Sequence, residues 1–133
     1  MSAKSVLIVD DDMSTRGMVR SVLHHEGFVV DEVASGNEAI ARISERAYDA
    51  VVLDMMMGDG SGHDVLHVLA STRPDVKCVV VVSAASLAMI DEVSDVNVQA
   101  KLRKPFDITD LVAAVRLCVT PGTSAPSSAA PSD

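Results

Sequence analysis

The sequence predicts an α/β fold, a doubly wound five-stranded parallel sheet with helices on both faces, and three observations predict it. Short aliphatic and β-branched runs recur at residues 6–9, 28–33, 50–53, 76–82 and 98–102. The stretches between them are long enough for helices and carry helical spacing, which is the pattern of βα units stacked into a covered parallel sheet. The composition agrees, because 48% of the 133 residues are hydrophobic while Phe28, Tyr48 and Phe106 are the only aromatics, leaving a core of Val, Leu, Ile, Ala and Met. A chain of this length builds one core and accommodates five such units.

The elements follow in order. The first strand, residues 6–9, runs directly into Asp10, Asp11 and Asp12. The first helix has an apolar stripe of Met18, Val19, Val22 and Leu23 and is closed by Gly27, just before the second strand begins at Phe28. Ser35 followed by Glu38 has the spacing of a capping box and starts the second helix. The third strand, residues 50–53, ends at Asp54, and the loop beyond it contains Met55, Met56, Met57, Gly58, Gly60 and Gly62. The fourth strand ends at Ser83, a fourth helix begins near Ser86, and Asn97 turns the chain into the fifth strand, which ends near Lys104. Asp107 caps a last helix that carries Leu111, Val112 and Val115. Residues 1–119 thus form one domain. Residues 120–133, with three of the five prolines and no large apolar side chain, read as a disordered tail or a linker.

Charge and cysteine usage exclude several functions. A net charge of −8 argues against direct nucleic-acid binding, which needs clustered Lys and Arg to displace counterions. Cys78 and Cys118 lie in apolar patterns and read as buried free thiols in a reducing cytoplasm. The apolar run before Asp10 is too short for a signal-peptide core or a membrane span, so a cytoplasmic location is expected. His63 and His67 have the spacing of two ligands on one helix but no third ligand accompanies them, and they read as solvated. Met55, Met56 and Met57 read as packing residues, and His24 and His25 sit where a helix dipole favours cations.

Polar residues collect where a parallel sheet places its ligand site, outside the carboxyl ends of the strands. Asp10 and Asp11, Asp54, Ser83 and Lys104 each stand at such an end. Carboxylates brought together repel unless a cation neutralises them, and a hard ion such as Mg²⁺ suits an all-oxygen set. Asp10, Asp11, Asp54 and the backbone carbonyl of Met56 are the candidate ligands. Beside such an ion the Asp54 carboxylate could attack a phosphoryl group, with Ser83 and Lys104 contacting the transferring oxygens.

VLIVDDD, then VVLD with Gly62 eight residues beyond Asp54, then VVVVSA, then KPF together resemble the receiver domain of two-component response regulators, over about residues 4–119. The resemblance implies a flavodoxin-like (βα)5 fold of strand order 2-1-3-4-5. It implies that Asp54 accepts a phosphoryl group from a sensor histidine kinase or phosphotransfer protein in a Mg²⁺-dependent reaction. It also implies an acidic pair Asp10 and Asp11, a switch hydroxyl at Ser83, Lys104 on the phosphoryl group, Asp12 turned away, and a turn at Pro105 through a cis bond. Activity would be limited to self-phosphorylation and self-dephosphorylation. Output would pass to a protein target through the surface of the fourth helix, fifth strand and fifth helix, from a monomer or a phosphorylation-linked homodimer.

The chain departs from the family pattern in three places. Lys101 stands where receivers carry an aromatic switch residue, and is expected to present a cation on the output surface. Gly58 and Ser61 replace a common proline and aspartate, which predicts a more mobile loop. Met56 and Ala85 place apolar groups beside the path of a hydrolytic water. Two rival readings differ in class. A haloacid dehalogenase-like phosphatase would use Asp10 and Asp12, but the sequence shows no second acidic pair late in the chain. A pure interaction module would not need the acid, hydroxyl and lysine set.

Overall fold

The computed structural model describes residues 3–57, 62–83 and 98–119, with the backbone alone for residues 78–80, 82 and 83. Five strands, β1 (Ser5–Val9), β2 (Val29–Val33), β3 (Ala50–Asp54), β4 (Lys77–Ser83) and β5 (Val98–Lys104), form one sheet of order β2-β1-β3-β4-β5. Every pairing is parallel. The described helices are α1 (Met13–His25), α2 (Gly36–Glu45), α3 (Gly62–Thr72) and α4 (Ile108–Val119). The helix expected near Ser86, the turn at Asn97, the glycines and serine at 58, 60 and 61, Ala85 and the 120–133 tail all lie outside the described residues.

The sheet divides the core in two because successive strand residues point to opposite faces. Leu7, Val9, Val51 and Leu53 join Ile43 of α2 and Val65, Leu66 and Leu69 of α3 on one side. Val6, Ile8, Ala50 and Val52 join Val19 and Leu23 of α1 and Leu111 and Val115 of α4 on the other. β1 and β3 are therefore apolar over residues 6–9 and 50–53, as strands covered on both faces must be.

Local chemistry sets the helix ends. Gly27 adopts φ 98°, its amide donates to the His24 carbonyl, and the Phe28 amide donates to that of Leu23, a Schellman closure of α1. Phe28 is spent on that closure, so the second strand starts one residue later than its apolar run suggests. The α1 stripe is also narrower than its sequence implies: Val19 and Leu23 are buried, whereas Met18 is 43% exposed. At α2 the Glu38 amide donates to Ser35 Oγ at 3.2 Å, while the Glu38 carboxylate accepts from the Ala34 amide at 2.8 Å instead of that of Ser35. The Leu111 amide donates to the Asp107 carbonyl at 3.1 Å where α4 begins. No described helix is long and apolar enough to cross a membrane.

Candidate functional site

The central strands bring the acids together. β1 and β3 are hydrogen-bonded neighbours with Val9 opposite Leu53, so the residues that follow, Asp10 and Asp54, arrive side by side at the carboxyl edge of the sheet. Both are buried polar residues, at 5% and 3% exposure. Asp11 is exposed beside them. One oxygen from each of Asp10, Asp11 and Asp54 lies within 4.8 Å of the others.

Main-chain amides orient two of these carboxylates. Asp10 Oδ1 accepts from the Asp12 amide at 2.8 Å, and Asp54 Oδ1 accepts from the Met56 amide at 2.9 Å. Each Oδ2 is left to face Lys104, whose Nζ lies 3.5 Å from Asp10 and 3.4 Å from Asp54. Lys104 ends the edge strand β5, two strands away from Asp54, and its side chain spans the end of β4 to reach the acids. The Lys104–Pro105 peptide bond is cis.

Electrostatics follow from that crowding. Burial pushes the Asp10 carboxyl above its ordinary range; the Asp12 amide pulls it down and the Asp54 charge pushes it up, with a net rise. Burial also works against the Lys104 ammonium, but Asp54 and Asp10 outweigh it and hold its pKa above normal. The lysine is therefore charged at neutral pH. Three carboxylates against one ammonium still leave an excess of negative charge in a largely buried place. That donor set, hard oxygens with uncompensated charge, fits a divalent cation such as Mg²⁺.

The remaining expected residues divide. Ser83 closes β4 opposite Lys104 in register, which puts its backbone at the same edge, and its side chain lies outside the description. Met56 follows the acceptor candidate, with its amide on Asp54 and its side chain 42% exposed. Asp12 is the N-cap residue of α1, and its carboxylate takes the Thr15 hydroxyl at 2.5 Å. The Thr15 hydroxyl, helped by the amides of Thr15 and Ser14, lowers its pKa. Lys101 is exposed on β5 beside exposed Arg103. His63 and His67 lie exposed on α3, and no third ligand joins them among the described residues.

Arg16 escaped the sequence reading. Its Nη1 donates to the Asp10 carbonyl at 2.9 Å and its Nε to Glu32 at 2.8 Å. In sequence it is one more cation on the polar face of α1, and only the fold turns it toward Asp10.

Comparison with known proteins agrees with the fold. Residues 6–116 match the response regulator receiver domain family. The acid tolerance regulatory protein ActR of Sinorhizobium medicae is 32% identical over 112 residues, covering 84% of this chain and 58% of that protein. The probable transcriptional regulatory protein TcrX of Mycobacterium tuberculosis is 35% identical over 114 residues, covering 84% of this chain and 48% of that one. The chain thus spans about half the length of the curated relatives it matches. Among solved structures, a CheY-like receiver domain protein of Methanospirillum hungatei superimposes with a TM-score of 0.82 at 27% identity, over 89% of this chain and 94% of that one. With the sheet order, the clustered acids and the family match in hand, this chain belongs to the response regulator receiver domains of two-component signalling.

Proposed function

We propose that this domain is a Mg²⁺-dependent phosphoacceptor switch in which Asp54 takes a phosphoryl group from a sensor histidine kinase or a phosphotransfer protein. The observation that carries the reading is the meeting of Asp10, Asp11 and Asp54 within 4.8 Å, with Lys104 against two of them. Carboxylates of Asp10, Asp11 and Asp54 and the Met56 carbonyl would hold the ion. When bound, Mg²⁺ would offset charge on the transferring phosphoryl oxygens.

The chain's own groups do the rest. An Asp54 carboxylate oxygen attacks phosphorus, forming an acyl phosphate as the bond to the donor's imidazole nitrogen breaks and the electron pair leaves with that nitrogen. The Met56 amide holds the Asp54 carboxylate in one orientation. Lys104 keeps its charge at neutral pH and pairs with the incoming phosphoryl oxygens. The Ser83 hydroxyl donates to the same group from the end of β4.

Phosphorylation adds charge and acceptor oxygens at the strand ends and shifts the population of the neighbouring surface. In this reading that surface includes β5 with Lys101 and α4, and it engages a downstream protein target from a monomer or a phosphorylation-linked homodimer. Nucleic acid is not a direct partner of a domain this acidic. A cytoplasmic location belongs to the same reading, as does an activity confined to the domain's own phosphorylation and dephosphorylation.

Acetyl phosphate tests it. Intact-mass measurement in Mg²⁺ should show one added phosphoryl group on wild type, none in excess chelator and none on Asp54→Ala. Label found on Asp10 would favour the phosphatase-like alternative, and no label in Mg²⁺ refutes the proposal.

A further inference from the structure

Every polar atom of Asp10 has a protein partner, and the edge strand β2 governs both peptide groups that flank it. The Asp10 amide donates to the Val33 carbonyl at 3.2 Å. The Asp10 carbonyl accepts from Arg16 Nη1 at 2.9 Å, and the same guanidinium is anchored through Nε to Glu32 Oε1 at 2.8 Å. Glu32 precedes Val33 on β2, so two adjacent strand residues clamp the acid from either side. Oδ1 is held by the Asp12 amide and Oδ2 faces Lys104.

Arg16 is only 16% exposed along its side chain, and its planar fork spans a carboxylate and a carbonyl at once. A simple helix-to-strand tie would need neither feature. Arg20 supplies that comparison: its Nε meets Glu32 Oε2 at 3.0 Å, its side chain is 52% exposed, and it does not bond Asp10. The Arg16 bond also occupies the Asp10 carbonyl, which leaves the carboxylate as the group Asp10 offers to a cation.

We propose that Arg16 is a positioning residue that, held by Glu32, sets the Asp10 peptide and with it the carboxylate that binds the cation. The proposal rests on the reading of Asp10 as a Mg²⁺ ligand. Groups that orient a metal ligand from behind typically change affinity by about ten- to a hundredfold when removed. Because Arg16 acts through a carbonyl while the Asp12 amide still holds Oδ1, the lower figure applies.

The test is calorimetric titration of the domain with Mg²⁺ alone. Arg16→Met should weaken binding about tenfold and Arg20→Met by less than about twofold. In the cation-free protein, the Asp12 amide resonance should move in Arg16→Met and stay in place in Arg20→Met. A folded Arg16→Met with affinity within about twofold of wild type overturns the role of Arg16 alone. If that variant does not fold, Glu32→Ala takes its place, with about threefold weaker binding expected and unchanged binding overturning the role. A wild-type domain that takes up no Mg²⁺ overturns the reading of the site and the role of Arg16 with it.

Discussion

Replacing Gly62 by alanine loads the backbone next to the phosphoacceptor candidate. A Cβ at position 62 would stand 3.0 Å from Met55 Cα, 3.0 Å from Met55 Sδ and 3.4 Å from the Asp54 carbonyl oxygen. The sulfur can rotate away; the Cα cannot, since Met55 is 3% exposed and its amide is bound to the Val81 carbonyl at 2.9 Å. Favourable carbon contacts begin near ~3.5 Å, so the chain after β3 must retreat by several tenths of an ångström. Overpacking of this kind costs about 1–3 kcal/mol, against at most about 1 kcal/mol gained by alanine over glycine in a helix. With the full alanine gain the net is a loss of up to about 2 kcal/mol, or up to about 8 °C in melting temperature for a domain this size, together with slower labelling by acetyl phosphate because the Asp54 backbone moves. Gly17 is the counter-case: it lies exposed in α1, a Cβ there meets nothing within 4 Å, and Gly17→Ala should gain about 1 kcal/mol with unchanged labelling. Thermal melts of the three proteins in chelator decide it. The reasoning fails if Gly62→Ala melts at or above wild type, or if Gly17→Ala melts below it.

Three further outcomes are expected. Without divalent cation, Asp10→Asn should raise the melting temperature by a few degrees at pH 7, because it removes one of two like charges buried together; added Mg²⁺ should stabilise wild type and leave the variant nearly unmoved, and a variant less stable than cation-free wild type would contradict this. Burial pushes the Cys118 thiol up to about 12, and burial with the Asp31 hydrogen bond raises Tyr48. Raised folded-state values contribute stability that is full below the unfolded values of about 8.5 and 10 and is lost as pH rises through the folded ones. Urea midpoints should therefore fall above about pH 9, and Cys118→Ala should flatten the decline, while an unchanged slope would show that the thiol takes no part. Met56→Asn, which replaces an exposed apolar group beside Asp54 with one able to orient water, should speed loss of phosphate several-fold, measured by mass after donor removal; equal or slower loss refutes it.

Strand positions were readable in the sequence because both core strands are covered on two faces, so β1 and β3 appear as unbroken apolar runs ending in acids. The ladders run one or two residues past those apolar runs and take in the polar residues the sequence set at the strand ends, Asp54, Ser83 and Lys104. The capping serine at 35 and the closing glycine at 27 were legible because each answers a local backbone need. Met18 belongs to the apolar stripe of α1 in sequence yet lies exposed, because hydrophobicity does not reveal which edge of an apolar stripe the sheet covers. Arg16 and Glu32 carried no signal at all, being ordinary surface charges until β2 and α1 are set side by side. The acids at 10 and 54 could be grouped from the fold's logic, but the reach of Lys104 past β4 is a matter of side-chain length that no pattern encodes.

The two walls of the acid pocket have unequal stiffness. Asp10 and Asp54 extend from neighbouring central strands whose ladder dictates their separation, so that spacing survives side-chain fluctuation. The ammonium opposite them hangs on a long tether from the outermost strand, beyond a stretch where the β4–β5 register slips between Cys78 and Val79. A newly arrived anion would meet acids set by their strands and a lysine that must leave its pairs with Asp10 and Asp54 to reach it. Mechanical response should therefore travel outward to the sheet's rim, along β5.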